Sequence, residues 1–337
     1  MEFVPRRVYF EEGALEHPRG RKIQEHLRRE GITEFRHTGS RNRVTGIPGR
    51  TPQQTYREGK GTLVVGIKRS LQFQTCRPSA HYQLPLVTGC PGMCQYCYLN
   101  TRFGDKPYIR VYVNTEEILD RARRYVTQHS PRETSFEGSA TSDPLPVEKY
   151  TGSLRQAVQF AATNPRARFR FVTKYTEVDS LLHLRHEGAT HFRFSINTDD
   201  VIKQFEHRTP PLRKRLEAAE RVRAAGYPLG FLIAPIMVSG DWEYRYREML
   251  ETLGNLVPGP FTLELITHRY TNSARRRILE VFPGTNLDMD DACRQYRYGQ
   301  FGYGKYVYTR PVLQRLEKWF RRSIEQLLPD ATVEYFV

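Results

Sequence analysis

Through most of the chain, short runs rich in β-branched and aromatic residues alternate with longer stretches whose apolar positions recur at helical spacing. The short runs predict strands at Gln83–Thr88, Thr134–Ser139, Phe169–Lys174, His191–Ile196, Leu229–Ile236 and Thr262–Thr267. Between and after them the 3.6-residue period predicts helices at Thr115–Gln128, Val147–Ala162, Pro211–Ala225, Trp242–Leu256 and Ser273–Val281. Pro211 suits a first helical turn and Gly226 a helix end. Strands alternating with helices imply a parallel sheet. No nucleotide-type Gly-rich turn follows the first strand, so the pattern fits an α/β fold of the partial (β/α)6 barrel type better than a doubly wound sheet.

The ends of the chain read differently. Residues 1–80 are polar and broken by Gly and Pro, with one helix expected near Arg21–Glu30 and one strand near Thr62–Lys68. The expected division is an N-terminal extension (1–80), the barrel (81–285) and a C-terminal segment (286–337). In the last segment, Tyr296–Tyr308 alternates aromatic and small residues around Gly302 and Gly304, a hairpin signal with a Gly-rich tip. A helix at Pro311–Leu327 and a strand at Thr332–Phe336 complete it.

A barrel of this kind carries its chemistry at the C-terminal ends of its strands. Polar residues fall there: the cysteine-rich loop after the first strand, Ala140, Ser142 and Asp143 after the second, and Lys174 at the end of the third. Ser195 and Asn197 end the fourth strand, and Ala234 with Pro235 closes the fifth.

That loop, GCPGMCQYCYLN, holds Cys90, Cys94 and Cys97 in the spacing C-x3-C-x2-C. Zinc sites more often combine C-x2-C or C-x4-C pairs into four ligands, and no second pair follows here. Three thiolates from one loop fit a 4Fe–4S cluster that leaves one iron without a protein ligand. The alternatives are a zinc knuckle completed by His81, or thiols that bind nothing. Cys76 and Cys293 stay unassigned and read as packed or inert thiols.

Net charge adds a partner class. Fifty-two Lys and Arg against 37 Asp and Glu give +15, which favours a polyanion through counterion release. The basic triplets at Arg121, Arg123 and Arg124, at Arg213–Arg215 and at Arg275–Arg277 lie on predicted helices, where such runs also serve as solvated faces. The longest apolar run, Leu229–Val238, is too short to cross a bilayer. The N-terminus has charges where a secretory signal needs apolar residues. A soluble, cytoplasmic monomer is expected, in a compartment reducing enough for cluster thiolates.

The cysteine run joined to the βα units resembles radical S-adenosylmethionine (SAM) enzymes. Within that superfamily, CPGMCQYCYLN, SFEGSATSDPL and the Tyr- and Gly-rich hairpin together resemble the spore photoproduct lyases, over nearly the whole chain. The resemblance implies that Cys90, Cys94 and Cys97 hold a 4Fe–4S cluster, and that Ser142, Lys174, Ser195 and Asn197 contact SAM. Asp143 is expected nearby, with Ala234 and Tyr96 beside the adenine. It further implies DNA repair in the spore core or germinating cell: radical reversal of 5-thyminyl-5,6-dihydrothymine to two thymines, fed by an external electron donor. Tyr98, with Tyr96 behind it, would relay hydrogen.

The chain departs from the family at Ala140, where the family carries a cysteine that returns a hydrogen atom to the product radical. A methyl C–H is too strong to do this. An exchange at this point, natural or engineered, predicts impaired hydrogen return and aberrant products. Damaged DNA must present the lesion outside the helix, and Arg297, Tyr303, Lys305 and Tyr306 of the hairpin are the expected DNA contacts. Two other functions share these features: a radical SAM enzyme acting on RNA, and a non-catalytic iron–sulfur DNA-binding protein. A zinc deaminase is excluded because its H-x-E motif is missing.

Overall fold

In a computed structural model, which describes residues 2–39, 43–298, 302 and 304–337, the chain divides into two compact units. Unit 1 comprises 1–91, 103–192 and 225–228; unit 2 comprises 92–102, 193–224 and 229–337.

Unit 1 builds one part of a curled, mostly parallel sheet. Its strands are Thr75–Cys76, Ala80–Gln83, Thr134–Glu137 and Ala167–Thr173 in that spatial order, followed by the first residues of Thr190–Ile196. Burial along Ala167–Thr173 alternates strictly, as its ARFRFVT sequence dictates. Helices Thr115–His129 and Ser153–Thr163 cover one face, where Phe136 packs edge-on against Phe160 at 6.1 Å. A second sheet in this unit orders Phe35–His37, Arg7–Phe10, Thr62–Gly66, Ile109–Tyr112 and Val87–Thr88.

Unit 2 continues from the last residues of Thr190–Ile196 to Leu229–Ile236, Phe261–Thr267 and the edge strand Ala331–Phe336. Helices Trp242–Leu256 and Arg310–Leu327 pack together through Trp242 on Trp319 and Tyr246 on Phe320, both at 5.1 Å. A buried ion pair, Arg193 with Glu264 at 2.6 Å, lies within this part of the sheet. The fold is therefore α/β of the expected partial-barrel kind, and the C-terminal hairpin forms from Arg294–Tyr298 and Gly304–Tyr308.

Several expected elements differ. The strand expected at Gln83–Thr88 is two: Ala80–Gln83 in the main sheet and Val87–Thr88 in the other. Pro85 separates them and lacks the N–H that a continuous ladder needs. The helix expected over Val147–Ala162 breaks at Gly152, which sits at φ 61°, a left-handed conformation that glycine adopts freely. Residues before 80 carry more structure than their polar character suggested, including a helix at Pro52–Lys60 capped by the Thr51 side chain.

Candidate active site

In unit 1 the loop entering the cysteine run is tied to the segment after the second barrel strand. Gly89 forms a bridge with Ser142, and the Gly89 N–H donates to the Thr141 carbonyl at 2.9 Å. Cys90 is thereby brought beside the stretch holding Ala140 and Ser142. Gly89 is required for this approach. It sits at φ 84°, and a Cβ there would meet the Tyr108 carbonyl oxygen at 2.5 Å. The buried Lys60 fixes the next carbonyl, its Nζ donating to Cys90 O at 2.9 Å.

Asp143 anchors the same segment. Its carboxylate accepts from Thr173 Oγ1 at 2.8 and 3.0 Å, from the Lys174 N–H at 2.9 Å and from the Leu145 N–H at 3.2 Å. Burial pushes its pKa up to about 6 in spite of those bonds, which favour the charged form. Asp143 thus joins the end of one strand to the start of the Lys174 loop, which gives it a positioning role. Ser142 precedes it in the chain, and the Lys174 backbone is held against it. Glu137 performs a similar task one turn earlier, accepting from Ser79 Oγ at 2.8 Å and from Ser139 Oγ at 2.5 Å. His81, the alternative zinc ligand, accepts from the Ser135 N–H through Nδ1 at 3.0 Å.

In unit 2, Cys94 and Cys97 lie on one turn, with the Cys97 N–H donating to Cys94 O at 3.3 Å and Asn100 Nδ2 donating to the same oxygen at 3.1 Å. The turn pairs antiparallel with Glu206–His207, Cys94 opposite Glu206. Gln95 adds bonds to Phe205 O and Gln204 O.

Between these cysteines, the Tyr96 hydroxyl donates to Glu206 Oε1, and burial with that carboxylate raises its pKa well above the usual phenol range. The other Glu206 oxygen pairs with Arg215 at 2.6 Å, and both side chains are fully buried. Arg215 also donates to Ser195 O at 2.9 Å, Pro210 O at 2.8 Å and Thr209 Oγ1 at 2.8 Å. One guanidinium therefore ties the end of the fourth barrel strand to the strand that carries the cysteine turn. Asn197 is likewise committed: its Nδ2 donates to Pro235 O at 2.8 Å and its Oδ1 accepts from Tyr246 at 3.0 Å. That fixes the Ala234–Pro235 corner. Tyr98 is 57% exposed.

The donor set fits an iron–sulfur cluster by its chemistry: three soft thiolates from one short loop. Among the described residues, no three His, Cys, Asp or Glu side chains are gathered as a metal-binding group, so this fit rests on the donors and their spacing.

On the hairpin, Arg297 faces Lys305 and Tyr296 faces Tyr306 across the ladder. Tyr306 is half-buried and stacks on Tyr270 at 5.3 Å. Tyr298 is 78% exposed, so among the described residues the aromatic most open to solvent is one that the sequence reading did not name as a DNA contact. Tyr303 lies outside the described residues. The basic triplets are partly spent on ion pairs: Arg213 and Lys214 with Glu217, Arg275 with Asp291, and Arg277 with Glu280. Sequence reasoning missed Glu206, Arg215 and Lys60, because charged residues in amphipathic stretches look solvent-facing until the fold buries them.

A family model described as spore photoproduct lyase matches residues 3–337. The spore photoproduct lyase of Clostridium acetobutylicum is 46% identical, with both chains covered completely. That of Bacillus subtilis (strain 168) is also 46% identical, over 99% of this chain and 98% of that one. Among solved structures, a spore photoproduct lyase mutant with bound AdoMet and dinucleoside spore photoproduct superposes with a TM-score of 0.96 at 47% identity, covering 100% of each chain. Its substitutions place alanine for cysteine at position 140 and cysteine for serine at position 76. Spore photoproduct lyase complexed with the dinucleoside lesion gives the same TM-score of 0.96 at 46% identity, again over 100% of each chain.

Proposed function

The chain belongs to the spore photoproduct lyase family, and from that membership we propose that it repairs DNA by SAM-dependent radical cleavage of the spore photoproduct. The observation that carries the reading is the Gly89–Ser142 bridge, which sets the first cysteine of the C-x3-C-x2-C loop beside the segment at Ala140.

Cys90, Cys94 and Cys97 would hold a 4Fe–4S cluster. When bound, the cluster supplies the electron that splits SAM into methionine and a 5′-deoxyadenosyl radical able to take hydrogen from C6 of the dihydrothymine half. The remaining work falls to the chain. Ser142, Lys174 and Ser195 offer a hydroxyl, an ammonium and a hydroxyl to the carboxylate and ribose of SAM. Asn197 acts by holding the Ala234–Pro235 corner against which adenine rests. Tyr96, its hydroxyl committed to Glu206, presents its ring and backbone to the cofactor. Tyr98, whose side chain is exposed, would relay hydrogen.

The hairpin residues Arg297, Lys305 and Tyr306, with Tyr298, would hold the DNA around the flipped lesion. Among the described residues, no helix is long and apolar enough to cross a membrane. Relatives that all carry the lyase name over full length favour a DNA lesion over the RNA and non-catalytic alternatives.

Two sequence features gain meaning here. This chain has alanine at 140 and cysteine at 76, the residue types that the substitutions C140A and S76C gave the relative solved with AdoMet and lesion. The function is tested by reconstituting the protein anaerobically and assaying 5′-deoxyadenosine with SAM, a reductant and the dinucleoside lesion. Formation that disappears in Cys94→Ala supports the reading; equal formation in that variant refutes it.

A further inference from the structure

Resting on the iron–sulfur part of the lyase reading, we propose that Lys60 is an electrostatic positioning residue for the cluster. Its buried ammonium stabilises negative charge at the cysteine loop and raises the potential at which the cluster takes its electron. Placement is the first support. Lys60 ends the helix Pro52–Lys60 and is 2% exposed. Its Nζ donates to Cys90 O at 2.9 Å and stands 5.4 Å from the centre of the buried Tyr56 ring. The helix end is seated tightly, since a Cβ on Gly59 would meet Lys106 C and Pro107 N at 2.8 Å. That segment runs on to Tyr108, whose carbonyl oxygen abuts Gly89. The fold of unit 1 therefore fixes the ammonium against the first cysteine of the loop.

Charge balance is the second support. Burying an ammonium is costly unless a counter-charge compensates it. The other buried cations, Arg193, Arg215, Arg277 and Arg294, each pair with a carboxylate at 2.6–2.8 Å. Among the described residues, Lys60 alone is a buried cation with no carboxylate partner. Glu58, two positions earlier, is engaged by Arg6 and Arg7, each at 3.2 Å. The C-terminal end of the helix offers only a partial negative charge, and Tyr56 only its ring face. The acceptor that Lys60 does hold belongs to the loop carrying Cys90, Cys94 and Cys97, where thiolate charge would gather.

The direction of the effect follows from charge. A 4Fe–4S cluster on three thiolates is anionic and becomes more so on reduction, so a fixed cation favours the reduced form more than the oxidised one. Low dielectric around the buried Nζ strengthens the interaction, and its rigid seat leaves little reorganisation to oppose it. One electron passes from the external donor to the cluster, and no bond to Lys60 forms or breaks.

The test compares the wild-type chain, Lys60→Met and Lys60→Arg. Each is reconstituted anaerobically and titrated by EPR for the midpoint potential of its cluster, and each is unfolded with urea in the iron-free form. Lys60→Met should lower the potential so that the ratio of reduced to oxidised cluster changes at least about tenfold, or about 59 mV for one electron. Lys60→Arg, which keeps the charge, should stay close to wild type. Iron-free Lys60→Met should unfold at the wild-type urea concentration or a higher one, because methionine fills the site without an unpaired charge. A Lys60→Met cluster at the wild-type potential overturns the proposal and leaves the lyase reading standing. A Lys60→Met chain that holds no iron and is also less stable than wild type when iron-free overturns it in favour of a structural role. If that chain keeps wild-type iron-free stability but holds no iron, recovery of loading in Lys60→Arg supports the charge pairing, and no recovery overturns it. A wild-type chain that gives no 4Fe–4S signal overturns the cluster assignment, and the role of Lys60 with it.

Discussion

Replacing Arg215 with Met should cost about 3–5 kcal/mol of stability and loosen the cysteine turn. The guanidinium is fully buried and donates to Glu206, Ser195, Pro210 and Thr209. Methionine matches the length but cannot donate, so the buried Glu206 carboxylate loses its charged partner at 2.6 Å. An uncompensated buried charge dominates that cost, and at 1.4 kcal/mol per tenfold it lowers the folding constant by roughly a hundred- to several-thousand-fold. Because Glu206 pairs with Cys94 through its backbone, iron retained after reconstitution should fall as well. The assay is urea unfolding of Arg215→Met, of Glu206→Leu and of the double variant, with iron per chain measured on each. Removing both charges eliminates the orphaned ion, so the double variant should be more stable than Arg215→Met. A single variant within about 1 kcal/mol of wild type, or a double variant less stable than either single one, would refute the keystone role.

Other consequences are equally specific. Between about pH 4 and 6 folded Asp143 holds a proton that the unfolded chain has released, since burial raises its pKa from 3.8 to about 6. Its contribution to stability therefore falls as pH rises through that window. Asp143→Asn should flatten the dependence of the urea midpoint on pH there, and an unchanged slope would count against the assignment. Tyr298→Ala should weaken binding to lesion-containing duplex by roughly 5- to 150-fold, from about 1–3 kcal/mol of stacking, with the melting temperature unmoved; wild-type affinity in a fluorescence titration would remove Tyr298 from the interface. Gly89→Ala should lower both the melting temperature and the iron content, since φ 84° and the Tyr108 carbonyl leave no room for a methyl. A fully loaded, stable Gly89→Ala protein would contradict the close approach.

What could be read from the chain was whatever lies close together along it. The three cysteines span one short loop, so their spacing already states a ligand set. The barrel strands from Ala167 onward run to seven or eight residues, long enough to be placed within a residue or two. The strands at Arg7–Phe10, Phe35–His37 and Val87–Thr88 have four residues or fewer, too short for periodicity to register. The supporting network was hidden for a different reason. Tyr96 and Glu206 are 110 positions apart, and nothing local distinguishes a buried arginine at 215 from its exposed neighbours Arg213 and Lys214. On the hairpin, alternation told which tyrosines share a face, but the stacking of Tyr270 on Tyr306 decides which face is covered.

The most direct test of the central claim is the product of one anaerobic incubation. The reconstituted wild-type chain is given SAM, a one-electron reductant and dinucleoside spore photoproduct, and the thymine dinucleoside formed is quantified against 5′-deoxyadenosine. The account predicts that 5′-deoxyadenosine forms and the lesion is consumed only when SAM is present and Cys90, Cys94 and Cys97 are all intact. A fully loaded protein that cleaves SAM and leaves the lesion unchanged would contradict it.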